Sequence, residues 1–211
     1  MRLNLVIMGG MLSLTSESIK DAIQAYESIQ NRNVAEHIPS LEMGKLRSAA
    51  ILMPLLQHEG RWHLLLTHRS QSLVEHRGQV AFPGGAKDHQ DKDLEQTALR
   101  ETYEEIGVNP RDVAVFGHLG DMPIVTGYVV RPYVAQIPWP YPLEISLDEV
   151  ESTFIVPLKW LVDPNHRTVK YRSFVGREFP VIYFDHFDGH QLWGASAEMT
   201  LALLSALRLI D

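Results

Sequence analysis

The segment that most constrains this chain is Arg100-Glu101-Thr102-Tyr103-Glu104-Glu105-Ile106-Gly107-Val108, which closes its strongest helix signal. That helix is predicted over 93–106, with Asp91 or Asp93 as its cap and Gly107 as its stop. At about 100° per residue, Glu101, Glu104 and Glu105 share an arc of roughly 100°. Ala98, Leu99, Thr102, Tyr103 and Ile106 take the adjoining arc, which is predicted to face a core. Three like charges on neighbouring turns weaken an isolated helix. A hard divalent cation resolves that conflict, since Mg²⁺ prefers carboxylate oxygens, water and phosphate.

Such a cation would neutralise the charge of a diphosphate and lower the pKa of a bound water. One glutamate could then take the water's proton. Arg100 can orient a neighbouring carboxylate through a bidentate contact, which lysine does less well. Upstream, Phe82-Pro83-Gly84-Gly85 must turn sharply, and the glycine pair lets the loop approach the helix closely. An isolated E-x-x-E-E is ordinarily a solvated acidic face. The flanking Phe-Pro-Gly-Gly and Gly-Val set this one apart.

Together these residues resemble the Nudix box, whose pattern is G-x5-E-x7-R-E-U-x-E-E-x-G-U with U aliphatic. The matching positions are Gly85, Arg100, Glu101, Glu104, Glu105, Gly107 and Val108. The stretch from Gly85 to Arg100 is one residue longer than the common box, and no glutamate stands at the early acidic position. Asp91 or Asp93 is the candidate substitute. Thr102 replaces an aliphatic residue, and its methyl can still pack.

The lengthened box resembles the coenzyme A pyrophosphatase branch of that superfamily. The same branch carries an upstream signature, LLT-x-R-[SA]-x3-R-x3-G-x3-FPGG. Here Leu65-Leu66-Thr67, Arg69, Ser70, Gly78 and Phe82–Gly85 follow its spacing, while Val74 stands in place of the second arginine. Arg77 is a candidate for the missing charge, and His76 lies within the signature. Val125-Thr126-Gly127-Tyr128, Arg131-Pro132 and Trp193-Gly194 also look like this branch, so the likeness covers residues 48–200.

The resemblance implies metal-dependent hydrolysis of coenzyme A, or a close derivative, to 3′,5′-ADP and 4′-phosphopantetheine. It implies Mg²⁺ or Mn²⁺ on Glu101 and Glu105, with Glu104 nearby, and substrate contacts at Arg69, Ser70, Gly78, Phe82, Gly84 and Gly85. The general base falls to Glu101. In other branches the base comes from a loop, and Glu149 in Asp148-Glu149-Val150-Glu151 is then the candidate, against a plain charged strand edge. A pyrophosphatase for ADP-ribose or NADH is the alternative enzyme. A ligand-sensing domain without catalysis is the alternative class, disfavoured by three repelling carboxylates that a sensor does not need.

Elsewhere, 15–31 is predicted as a helix with Ile19, Ala22, Ile23 and Tyr26 on one face. Residues 49–56 and 62–67 are predicted strands joined by a hairpin at His58–Arg61. Further strands are predicted at 113–116, 128–137 and 150–156, a late hairpin at 168–174 and 180–184, and a helix at 195–210. Without strict βαβ alternation, an α/β (α+β) fold is expected, a mixed sheet sandwiched between helices. Residues 1–40 are expected as an N-terminal helical extension on a 41–211 hydrolase domain, serving as a dimer contact (a homodimer) or a substrate-side lid.

Composition narrows the partners. A net charge of −7 without a basic stripe argues against nucleic acid. The chain has no cysteine, which excludes thiolate zinc and thiol catalysis. The ten histidines form no HxH or HExxH pair. No apolar run reaches the roughly 20 residues of a membrane span. Met1–Leu14 lacks a small-x-small cleavage pattern, so a cytoplasmic location is expected over secretion, with Met8 and Met11 as alternative starts. Trp139 and Tyr141 read as cover for an apolar loop more readily than as base-stacking groups.

Overall fold

The computed structural model describes residues 14–33, 46–72, 77–174 and 177–210. The positions of Val74, His76, Met8 and Met11 lie outside them, as do most of 1–14 and 34–45.

The apolar run predicted as a strand becomes β1 (Arg47–His58). Its residues alternate between two cores: Ala49, Met53 and Leu55 enter the larger one, Ala50 and Leu52 a smaller one on the opposite face. A strand buried on both sides needs apolar residues at consecutive positions, which accounts for the unbroken run. A two-residue turn, Glu59-Gly60, leads into β2 (Arg61–Arg69), with His58 opposite Arg61.

Around this hairpin a mixed sheet of eight strands assembles. Its continuous path runs β3 (Val80–Ala81), β2, β1, β7 (Tyr128–Gln136), β5 (Ala114–His118). β4 (Gly84–Ala86) pairs with β1, β6 (Met122–Ile124) with β7, and β8 (Val150–Pro157) with β2. The β1–β7 pair is parallel and every other pair antiparallel. Pro54, which can donate no ladder bond, sits where β1 passes from β4 to β2.

Helix α2 (Leu94–Ile106) covers one face, with Ala98 against Ala50, Leu52, Tyr133 and Ala135. The other face is covered by α1 (Ser16–Asn33) and α4 (Gly194–Ala206), whose Ile19, Ile23, Leu203 and Leu204 are fully buried in the larger core. This is the expected mixed sheet between helices. Thr15 and Ser18 cap α1 reciprocally, Ser18 N donating to Thr15 Oγ1 and Thr15 N to Ser18 Oγ. Glu27 ties α1 to β5 by accepting from His118 N and pairing with its Nε2 at 3.1 Å.

The late hairpin forms as expected and gains a third strand. β9 (Arg167–Phe174), β10 (Arg177–Phe187) and β11 (His190–Trp193) make a separate antiparallel sheet ahead of α4. Short α3 (Leu158–Val162) was not legible in the sequence, and the terminal helix stops at Ala206, short of the predicted Ile210. No described helix is long and apolar enough to cross a membrane.

Candidate active site

Helix α2 carries the site, and both its ends are fixed. Asp93 caps it, its Oδ1 accepting from Gln96 N at 2.8 Å. Gly107 ends it in the left-handed region at φ 74°, its N donating to Tyr103 O. A Cβ on Gly107 would lie 2.8 Å from Glu144 Cβ and 2.9 Å from Glu144 N, so the position also accommodates the next loop. That loop completes the helix terminus: Glu144 N donates to Ile106 O and Ser146 N to Glu105 O, satisfying carbonyls that would otherwise be orphaned.

Helical geometry sorts the three glutamates by depth. Glu105 lies two turns beyond the buried Ala98 and returns to nearly its direction, about 20° away. Its side chain is 2% exposed, that of Glu101 15% and that of Glu104 51%. Tyr103, at the outer edge of the predicted core arc about 140° from Ala98, is 54% exposed and not a core residue. Thr102 is fully buried and donates to Ala98 O at 2.7 Å.

Glu101, Glu105 and Glu149 each bring a carboxylate oxygen to within 4.8 Å of the others. The loop that closes α2 delivers the third: Glu149 N donates to Ser146 O, and Ser70 N donates to Glu149 O at 2.9 Å. Ser72 Oγ donates to Asp148 O at 3.1 Å. Glu104, expected near the ion, is not part of this trio. It shares the Arg100 Nη1 donor with Glu101, at 2.9 and 2.8 Å. The bidentate contact of Arg100 goes to Asp91, with Nε–Oδ1 at 3.0 Å and Nη2–Oδ2 at 2.9 Å. Asp91 therefore neither caps α2 nor joins the carboxylate cluster; it anchors the arginine.

Burial pushes the Glu105 carboxyl up to about 8, against the opposing influence of Arg69, whose Nη1 lies 3.6 Å from Glu105 Oε1. Burial also raises Glu101, with the Arg100 hydrogen bond opposing. Gly84 N donates to Glu105 Oε2 at 3.3 Å. Gly84 stands at φ 152°, and a Cβ there would lie 2.4 Å from Ala50 O. A Cβ on Gly85 would lie 2.4 Å from the Glu101 carboxyl carbon. Gly84 thus allows close packing on β1 and Gly85 leaves room for the Glu101 carboxylate, in a short strand where a sharp turn was predicted.

The sequence profile of the NUDIX domain matches residues 45–175. The chain belongs to the Nudix family. It is 36% identical over 181 residues to NudL, an uncharacterized Nudix hydrolase of Escherichia fergusonii, covering 86% of this chain and 83% of the relative. The NudL protein of Escherichia coli (strain SMS-3-5) is similar to the same extent. A MutT/nudix family protein from Enterococcus faecalis has a TM-score of 0.51 at 15% identity, over 92% of this chain and 75% of that one, a likeness of fold. This Nudix hydrolase is an enzyme of a family that acts on nucleoside diphosphate derivatives with divalent metal ions.

The donor set of the hydrolase fits such an ion. Three carboxylates converge, all their donors are oxygen, and Gly85 leaves space beside Glu101, as suits Mg²⁺ or Mn²⁺.

Beside the cluster opens a cavity of about 730 Å³, within the usual range for small-molecule sites. Arg69, Phe82, Gly84 and Gly85 border it, as do Val125, Thr126, Tyr128, Trp193 and Gly194. Ser70 and Gly78 do not. Ser70 holds the Glu149 backbone, and Gly78 N donates to Arg69 O at 3.1 Å, so both shape the turn carrying Arg69. Sequence reasoning missed Phe179, Val181, Glu198 and Met199 in the wall. Trp139 and Tyr141 pack over a small apolar cluster with Ile106 and Val108, as cover for a loop.

Proposed function

We propose that this Nudix hydrolase cleaves the diphosphate bond of coenzyme A, or a close derivative, to 3′,5′-ADP and 4′-phosphopantetheine. One convergence carries the reading. The three segments whose sequence resembles the coenzyme A branch, Phe82–Gly85, Val125–Tyr128 and Trp193-Gly194, are far apart in the chain, yet all border one cavity beside the glutamates. Its wall is mainly apolar, suited to a long, weakly polar substrate arm, with Arg69 the one cation among the described residues that border it.

Glu101, Glu105 and Glu149 would hold Mg²⁺ or Mn²⁺. When bound, that ion supplies neutralisation of the diphosphate and a more acidic water. Arg69, between Glu105 and the cavity, offers its guanidinium to a phosphate oxygen. Glu101 receives the proton of the attacking water as the water oxygen bonds to phosphorus and the bridging P–O bond breaks, releasing two phosphomonoesters. Arg100 holds Glu101 in orientation and is itself held by Asp91. Glu149 is the second candidate for the base, because its carboxylate belongs to the same cluster.

Purified protein with Mg²⁺ or Mn²⁺, incubated with coenzyme A, ADP-ribose, NADH and diadenosine polyphosphates, tests this by chromatography of products. Appearance of 3′,5′-ADP and 4′-phosphopantetheine is expected. Cleavage of ADP-ribose with coenzyme A left intact would sink the reading.

A further inference from the structure

The three-stranded sheet contributes more to the cavity than a wall. In β10, Phe179, Pro180 and Val181 border the cavity, and so does Trp193 of β11, the pairing partner of Tyr183. Strand side chains alternate between faces, and directly paired residues share a face. Phe179 pairs with Arg172 and Val181 with Lys170, so both cations share the face of Phe179, Val181 and Tyr183, one strand further out. Tyr183 joins the same row. It stacks in parallel on Trp193 with centroids 5.5 Å apart, and Lys170 Nζ lies 5.0 Å from its ring centre. Arg172 lies 5.6 Å from that centre, and its Nε donates to Tyr183 Oη at 2.9 Å. The tyrosine therefore holds both cations beside the cavity rim.

No described carboxylate comes within 4 Å of Lys170 or Arg172, although most other described arginines near the site are paired. Two positive groups fixed on one aromatic ring, without a carboxylate partner among the described residues, present charge and hydrogen-bond donors to an anion. They stand on the three-stranded sheet, whereas the carboxylates stand on α2 and on the loop entering β8, so the two charged groups come from separate elements.

We propose that Lys170 and Arg172 form a second anion subsite, taking a phosphomonoester that the substrate carries apart from its scissile diphosphate. The inference rests on the coenzyme A reading, in which that group is the 3′-phosphate of the nucleotide half. The subsite discriminates between substrates with and without the 3′-phosphate and leaves the hydrolytic step unchanged.

The test compares coenzyme A with 3′-dephospho-coenzyme A in the wild type, the Lys170→Ala/Arg172→Ala double variant and the charge-preserving Arg172→Lys. The double variant is expected to raise KM for coenzyme A roughly tenfold with kcat unchanged, and to leave KM for the dephospho substrate within about twofold. Arg172→Lys should retain most of the preference. Product inhibition gives a readout independent of turnover: 3′,5′-ADP should inhibit the wild type more strongly than AMP, with the difference lost in the double variant. An edge-strand lysine also discourages edge pairing, and that role alone predicts no distinction between the two substrates. Equal effects on both substrates, or no effect on either, overturn the subsite while leaving the coenzyme A reading intact. A wild-type enzyme that does not cleave coenzyme A overturns that reading, and the subsite with it.

Discussion

Arg100 grips Asp91 with two hydrogen bonds, of 3.0 and 2.9 Å, across nine positions of sequence. The aspartate side chain is almost fully buried, and the arginine beside it holds its carboxyl well below the usual carboxylate range. Breaking a buried pair leaves an uncompensated charge, so Asp91→Asn should lose about 3 kcal/mol at neutral pH. A depressed carboxyl contributes stability above the unfolded pKa of about 3.9 and loses it as pH falls through the folded value. Urea titrations should therefore show wild type and variant converging in strong acid. A constant gap at every pH would contradict the pairing.

Glu105 behaves in the opposite sense. Its carboxyl is pushed up to about 8, so the folded, metal-free protein binds a proton that the unfolded chain has released. Its contribution is fully favourable below about pH 4.3 and declines as pH rises towards the folded value. In chelator, wild-type stability should fall between pH 5 and pH 8 more steeply than that of Glu105→Gln. Identical slopes would remove Glu105 as the cause.

Depth along α2 separates the glutamates functionally. Glu101→Gln, Glu105→Gln and Glu149→Gln should each reduce turnover by at least roughly tenfold. Glu104→Gln, which disturbs only a half-exposed contact with Arg100, should have a smaller effect. Steady-state rates at saturating Mg²⁺ rank the four. Near-normal turnover in all three clustered variants would refute the assignment.

The neighbouring glycines should fail in different ways. Alanine at Gly85 meets the far end of the Glu101 side chain, which can swing aside. Gly85→Ala should fold with a stability change below about 1 kcal/mol, yet lose activity at least roughly tenfold, because a displaced catalytic group is costly. Alanine at Gly84 meets the β1 backbone at Ala50 and Ile51, so Gly84→Ala should chiefly lower the melting temperature. Thermal melts and rates on both proteins distinguish the outcomes.

What the sequence disclosed follows from where its signals are local. Helix α2, its cap and stop, and the β1–β2 hairpin depend on neighbours within a few residues, and their patterns could be read directly. The ranking of Glu105, Glu101 and Glu104 by depth was also implicit in the 100° step from Ala98. The membership of Glu149 was not, because it depends on the 144–149 loop meeting the α2 carbonyls and the Ser70–Ser72 turn. The strand Gly84–Ala86 was hidden by residues with little strand preference, since its pairing is imposed by β1. The part played by β10 and β11 in the cavity was concealed for a similar reason. Alternation shows that two faces exist, not which one another sheet will meet.

The division of the cavity between two sheets has an evolutionary consequence. The carboxylates belong to α2 and to the loop entering β8, whereas part of the cavity wall belongs to β10, β11 and the start of α4. Substitutions in that small sheet alter which molecules fit without disturbing the pairings that position the glutamates. A lineage carrying this fold can therefore exchange one clientele for another while inheriting its bond-breaking apparatus unchanged.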